Sequence, residues 1–281
     1  MIINRLGVDP QRDVAEPAED ISASLEKSPV LVAELGNESV ETIPNSLQTR
    51  LGAPVLHKLG AGSTRLVSIR ADSQESSTVR RPQNTPETQS PHTDGCFMAS
   101  PPTVVALYCS SPAASGGESV LVDGARLLEE CTAELAPHEL SALFRDDAYE
   151  IARGDQVLRR AVLVTERAGG PPRVGLYFSS HEFNTVDVHP DARRGFDLLA
   201  RLSRDPSYQQ NLDLRAGECL IFVNSRILHG RRSWRDSETA VRHFQRGWYA
   251  AHRSRVSAGV SADDLTPRAR EKLLAAAGGD G

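Results

Sequence analysis

Three side chains in this sequence could share one metal ion. His92 and Asp94 stand at i and i+2 in Ser90-Pro91-His92-Thr93-Asp94-Gly95-Cys96-Phe97, and on a β-strand side chains two apart point to the same side, so both can grip one ion. That is half a site. The third candidate, His229, lies 135 positions beyond Asp94 in Asn224-Ser225-Arg226-Ile227-Leu228-His229-Gly230-Arg231, after an apolar strand-like run. Two neutral imidazoles and one carboxylate on one face of an ion, at roughly 2.0 to 2.2 Å, leave positions open and suit iron(II) that must engage oxygen. The tripeptide His-Thr-Asp alone would arise by chance in many surface turns, so its weight comes from the residues around it.

Such a set needs a frame, and the chain is long enough to build one. A length of 281 residues with 39% hydrophobic and 25% charged residues is ordinary for one globular domain with a large core. No stretch approaches the roughly 18 apolar residues of a spanning helix. Met1-Ile2-Ile3-Asn4-Arg5 passes at once into polar residues, so no secretory apolar region is expected and the cytoplasm is the expected location. Cys96, Cys109, Cys131 and Cys219 have neither zinc-knuckle nor disulfide-framework spacing and are expected to be reduced thiols. Cys96, two residues past Asp94, is read either as a pocket-lining residue or as a small hydrophobe.

Charge is uneven. The formal net charge is −5, with nine acids against Arg12 and Lys27 over residues 9–41, while Arg226, Arg231, Arg232, Arg235, Arg242, Arg246, Arg253 and Arg255 crowd a later stretch. Nucleic acid is a poor partner for an acidic chain whose basic run lacks interleaved aromatic platforms. An anionic small molecule suits the cluster better.

Pattern predicts strands over 30–35, 65–70 and 103–109, then a Gly116-Gly117 turn leading into a strand from Ser119 to Val122. A helical turn is expected over 45–51. A helix is expected over 125–135, ended by Pro137, and another from Pro190 to about Arg204. Residues 156–166 and 173–178 read as a hairpin about Gly169-Gly170-Pro171-Pro172, and 179–189 as irregular polar chain. Residues 1–29 read as an acidic segment with at most one short helix near 18–27. Residues 72–90 are almost wholly polar, and a loop that long beside His92 is either a lid or an inert surface loop. His181 and Glu182 are neighbours that face opposite ways on an extended chain, which favours surface or pocket-rim roles over metal ligation. A strand at 216–223 delivers the chain towards His229.

The strand Ala240-Val241-Arg242-His243-Phe244-Gln245-Arg246-Gly247-Trp248-Tyr249 places Arg242, Phe244, Arg246 and Trp248 on one face, with His243 and Gln245 on the other. Two guanidiniums facing a core are costly unless anions answer them. A bidentate carboxylate is the natural answer. The plain alternative is an exposed face on which both arginines pair with Asp236 or Glu238.

Taken in order, His92-Thr93-Asp94-Gly95, Gly116-Gly117-Glu118-Ser119 with Val122-Asp123-Gly124, Asn224-x-Arg226-x-Leu228-His229-Gly230-Arg231 and Arg242-x-x-x-Arg246 resemble the motifs of the iron(II)- and 2-oxoglutarate-dependent oxygenases, in the group of taurine dioxygenase, γ-butyrobetaine hydroxylase and clavaminate synthase. The resemblance spans roughly residues 90–250, and the segments before 60 and after Arg253 add little to it. It implies a mainly β protein with flanking helices, a double-stranded β-helix of jelly-roll, cupin-like form, in one domain over 1–281. It implies iron(II) on His92, Asp94 and His229. The distal carboxylate of 2-oxoglutarate would meet Arg242 and the Ser119 hydroxyl, where the group more often has Thr, and Arg246 would hold either the cosubstrate or an anionic group of the substrate. The Cys-rich zinc region of γ-butyrobetaine hydroxylase has no counterpart here, and retention of Asp94 argues against halogenation.

The reaction so implied couples oxidative decarboxylation of 2-oxoglutarate by O2, giving succinate and carbon dioxide, to attack on an unactivated C–H bond of a small molecule. Hydroxylation is the default outcome, and desaturation, epoxidation and ring closure share its early steps. The relatives point to an amino-acid-like or carboxylate-bearing substrate of a biosynthetic pathway, with no nucleic acid and no membrane involved. Two other classes remain open: a non-catalytic cupin-like binder of metal and 2-oxoglutarate, and a zinc hydrolase using the same three ligands.

Overall fold

The computed structural model describes residues 3–7, 21–36, 51–59, 62–64, 66–71, 84–153, 156–166, 171–180, 185–250 and 256–278. Strands in two facing sheets form the frame. In chain order they are Asn4–Gly7 (β1), Val30–Glu34 (β2), Ala53–Pro54 (β3), Leu66–Ile69 (β4), Gln89–His92 (β5), Val104–Ser111 (β6), Ser119–Asp123 (β7), Gln209–Leu212 (β8), Glu218–Val223 (β9), Ile227–Arg231 (β10) and His243–Ala250 (β11). The larger sheet runs β1-β2-β9-β6-β11-β3, with β4 also on β11, and the smaller runs β8-β7-β10-β5. All these pairings are antiparallel except β1 with β2. This is the double-stranded β-helix, and smaller sheets and helices are laid around it.

The central strands read as continuous apolar runs because both of their faces are buried. Val105, Leu107, Cys109, Leu220 and Phe222 point inward, where Leu121 and Ile227 of the smaller sheet meet them. Their alternates Val104, Ala106, Tyr108, Cys219, Ile221 and Val223 pack outward beneath the helix Ile21–Lys27 (α1). Period-two alternation thus sorts one strand between two cores. Each fully buried Leu or Ile contributes roughly 1.5 to 3 kcal/mol of transfer free energy, so the sandwich rather than local propensity fixes the register.

On its other side the smaller sheet carries Val122 and Leu228 into a third core with the helices Gly124–Glu134 (α2), Pro137–Ala142 (α3), Arg193–Arg204 (α4) and Pro267–Ala277 (α5). The tail after residue 253 belongs to this core, which buries Val260, Leu265, Ala269 and Leu273. The Val122-Asp123-Gly124 motif serves architecture. Asp123 caps α2 by accepting from the Ala125 amide at 3.0 Å, and a side chain at Gly124 would meet the Arg226 carbonyl at 2.5 Å.

Several expectations are corrected. Pro137 opens a second helix instead of only ending the first, since proline suits the first helical position. The stretch 156–166 is two strands, because Gln156–Arg160 pairs with Tyr149–Arg153 while Leu163–Glu166 pairs with Arg173–Leu176. Thr185–Val188, within the stretch read as irregular, completes the sheet of Tyr149–Arg153. Gln89 and Ser90, at the end of the polar stretch, already belong to β5. For the strands, pairing with a partner segment decides what local composition left open. The helical turn expected over 45–51 and the Gly169-Gly170 turn lie outside the described residues, apart from Leu51.

Candidate active site

The smaller sheet brings the first two imidazoles together. His229 of β10 is directly opposite His92 of β5, with Leu121 of β7 on its other side, and the two rings lie 4.6 Å apart. The strands come this close because residue 230 is glycine, where a Cβ would stand 2.4 Å from the Gln89 carbonyl.

Asp94 arrives differently from the expectation. The strand ends at His92, and Asp94 begins a turn in which Gly95 takes φ +72°. Its orientation is fixed by Asn224, which is fully buried: the Asn224 side-chain oxygen accepts from the Asp94 amide at 2.8 Å, and its nitrogen donates to the Asp94 carbonyl at 2.9 Å. Thr93 is tied to Phe178 by bonds in both directions. Local alternation does not aim this carboxylate. A side chain 130 positions away does.

One donor atom from each of His92, Asp94 and His229 lies within 4.8 Å of the others, and all three residues are buried. Asp94 oxygens stand 3.7 Å from His92 Nε2 and 3.6 Å from His229 Nε2. These gaps exceed a hydrogen bond and fall within twice a ligand bond of about 2.1 Å, so the donor set fits one ion. His92 Nδ1 faces the Ser90 carbonyl at 2.9 Å, which turns Nε2 towards the cluster. Burial holds His229 down to about 3, with the nearby His92 and Arg246 adding to the effect, so its imidazole is neutral and ready to ligate. Burial alone would push the Asp94 carboxyl up. Arg246 and the two histidines outweigh it and keep the group well below the usual carboxylate range.

Arg246 Nη1 donates to Asp94 Oδ1 at 3.0 Å, and Trp248 Nε1 donates to Oδ2 at 2.8 Å. Strand parity places both residues on the same face of β11 but gives Trp248 no function, and nothing local gives one to Asn224. The parity with Arg242 was the available signal for Trp248. For Asn224 there was only its place beside the His229 motif.

A cavity enclosing about 400 Å³ of empty space, mouth included, opens beside this cluster and is lined by His229, Arg246, Gln89, Ser119, Arg231, Arg242 and Phe244 among others. Arg242 is only 4% exposed, which removes the alternative of a solvated arginine face. Its guanidinium lies 3.9 Å from the Phe244 ring centre and 4.9 Å from that of Trp234, and Nη1 has no hydrogen-bond partner among the described residues. Asp236 accepts from the Arg242 backbone amide. Burial brings the Arg242 guanidinium down to about 10. A buried cation with an unbonded nitrogen of this kind can take an anion.

Arg231 stacks on Trp234 at 4.1 Å and donates to the Thr85 and Glu87 carbonyls, which ties down the end of the polar stretch. The rest of that stretch, residues 72–83, lies outside the described residues, as do His181 and Glu182. Cys96 is buried in the helical core with its thiol against Thr93, and it does not line the cavity.

The profile of the family described as taurine catabolism dioxygenase TauD, TfdA family matches residues 47–248. A Streptomyces relative named uridine-5'-phosphate dioxygenase is 32% identical over 169 residues, 54% of this chain and 58% of the relative, so the match spans little more than half of that protein. Among solved structures, the non-heme iron oxygenase OrfP in complex with Fe and alpha-ketoglutaric acid superposes with a TM-score of 0.61 at 15% identity, covering 84% of this chain and 78% of that one. An asparagine oxygenase in complex with Fe(II), 2S,3S-3-hydroxyasparagine and succinate superposes with a TM-score of 0.58 at 12% identity, covering 88% and 93%. At these identities the structural likeness is one of fold.

Proposed function

The chain belongs to the taurine catabolism dioxygenase TauD, TfdA family, and from that premise we propose that it is an iron(II)- and 2-oxoglutarate-dependent dioxygenase that oxidises a C–H bond of a small anionic metabolite. One observation carries the reading: His229, of the buried cluster with His92 and Asp94, lines the same cavity as the buried guanidinium of Arg242, whose Nη1 has no hydrogen-bond partner among the described residues. A zinc hydrolase would need a general base beside the triad. The other charged groups lining the cavity are arginines.

Iron would be held by His92, Asp94 and His229, and when bound with 2-oxoglutarate it supplies activation of dioxygen. The chain's own residues do the rest. His229 stays neutral and offers Nε2, while Arg246 and Trp248 hold the carboxylate of Asp94 in place. Arg242 would take the distal carboxylate of 2-oxoglutarate with the Ser119 hydroxyl beside it, since both line the same cavity. Arg246, nearer the cluster, would face the metal-side end of the cosubstrate or an anionic group of the substrate. Phe244, Leu107 and Ile69 line the cavity with apolar surface that limits water.

The substrate anion is a carboxylate or a phosphate. The uridine-5'-phosphate relative supports the second, and OrfP complexes with hydroxylated arginine support the first. No helix among the described residues is long and apolar enough to cross a membrane, and its four thiols, all unpaired, would suit the reducing cytoplasm.

Anaerobic addition of iron(II) and 2-oxoglutarate should produce a visible charge-transfer band, and admission of oxygen should release succinate. His92→Ala should lose the band through lost metal, and Arg242→Ala should lose it only at low 2-oxoglutarate. A panel of uridine monophosphate, amino acids and uncharged analogues should raise succinate release only with the anionic members. Metal binding without succinate under any substrate would leave a non-catalytic binder.

A further inference from the structure

Both oxygens of Asp94 are already occupied by donors from one strand. Trp248 Nε1 donates to Oδ2 at 2.8 Å, and Arg246 Nη1 donates to Oδ1 at 3.0 Å. The donors sit at i and i+2 of β11, on the same face, so the strand presents them as a pair. They also brace each other: the Arg246 guanidinium lies 4.8 Å from the Trp248 ring centre. Phe97, in the turn that carries Asp94, packs tilted against the same indole at 6.5 Å.

A carboxylate held through one oxygen can still swing about its Cβ–Cγ bond. One held at both oxygens by rigid, buried donors cannot. Trp248 is 4% exposed, and an indole carries a single donor and no acceptor, a donor that here goes to Asp94. A tryptophan whose only duty was to fill the core would be replaceable by phenylalanine at little cost to anything but packing.

We propose that Trp248 is a positioning residue for the metal-binding carboxylate. Its indole N–H, acting with Arg246 on the opposite oxygen, fixes the plane of Asp94 so that iron(II) meets a preset ligand towards which His92 and His229 already point. The inference rests on the reading of His92, Asp94 and His229 as an iron site. It predicts where the energy of that preorganisation resides: in a hydrogen bond to the ligand, outside the coordination sphere.

The test is anaerobic titration of the 281-residue chain with iron(II) against a competing chelator, with no cosubstrate or oxygen present. Trp248→Phe keeps a ring and removes the donor, and iron affinity should fall roughly 10- to 100-fold, the usual range for a lost outer partner of a metal ligand. Phe97→Leu loosens the packing of the same indole while sparing the N–H, and should leave iron affinity within about twofold. Should Trp248→Phe fail to fold, a benzothiophene side chain introduced at position 248 removes only the N–H from an isosteric ring, and the same drop is expected. Equal iron affinity in either donor-free variant and wild type overturns the proposal, as does an equal drop in Phe97→Leu, which would make the effect one of packing. Wild-type protein that binds no iron overturns the metal site itself, a result separate from the other two.

Discussion

The two ends of the cavity handle buried charge in opposite ways. At the metal end, Asp94 is a carboxylate whose backbone is held by Asn224 and whose oxygens are held by Arg246 and Trp248. At the other end, Arg242 is a cation resting on the Phe244 and Trp234 rings with one nitrogen that has no hydrogen-bond partner among the described residues. The first charge is balanced within the chain, and the second is answered less fully by the described residues. A fixed metal ligand must be in place before the ion arrives, so its supports are internal. A cosubstrate that binds and leaves as succinate in every cycle needs a charge that the protein itself has not neutralised.

Exchanging each arginine for leucine should break the symmetry between these ends. Arg246→Leu leaves the Asp94 carboxylate buried without its guanidinium and should destabilise the metal-free protein by about 3 to 5 kcal/mol in chemical denaturation. Unchanged stability would mean that Arg246 does not balance that charge. Arg242→Leu removes a cation that no described residue bonds at Nη1. Metal-free stability should hold or rise, while 2-oxoglutarate affinity should fall by about 2 to 5 kcal/mol, the range for truncating one partner of a buried charge pair. A large loss of stability here would show that Arg242 has structural partners after all.

A smaller effect should separate the ends at the Gly116-Gly117 turn. Gly117 takes φ +81°, and a Cβ there would stand 3.1 Å from both Arg242 Nε and Trp234 Cβ. Gly117→Ala should cost about 1 to 2 kcal/mol of stability for the left-handed backbone, and should weaken 2-oxoglutarate binding while sparing iron affinity. Equal weakening of both would merge the two ends into one unit.

The mildest probe is pH. The unfolded His229 binds a proton near its ordinary value of about 6.5, whereas the folded one resists protonation until about 3. Between these values the unfolded chain carries the extra proton, so metal-free stability should fall as pH drops from about 6.5. The depressed Asp94 acts with the same sign at lower pH. His229→Asn should flatten the slope between pH 6.5 and 4, and a slope unchanged by that substitution would assign it to other groups.

Much of this could be read in the residues. The chemistry of His92, Asp94 and His229 was legible because ligand type and a short motif are local properties, and the arginine face of β11 was legible because strand parity is local too. The strands of the central sandwich were visible as apolar runs. Tyr149–Arg153 and Thr185–Val188 were not, since neither has a strong pattern of its own: the first is held between Gln156–Arg160 and Thr185–Val188, and the second is a strand through its pairing with the first.

The sequence alone therefore picked out three groups whose donor atoms the fold brings together and the arginine face that the fold buries. Only the tertiary structure decided what supports them: that Asp94 is aimed by Asn224 from a turn, that Trp248 lends its N–H to the carboxylate, and that Arg242 ends in a cavity wall instead of solvent. The physical reason is distance along the chain. A hydrogen bond spanning 130 or 154 positions exists only after the sheets have closed, and no window of sequence contains both of its partners.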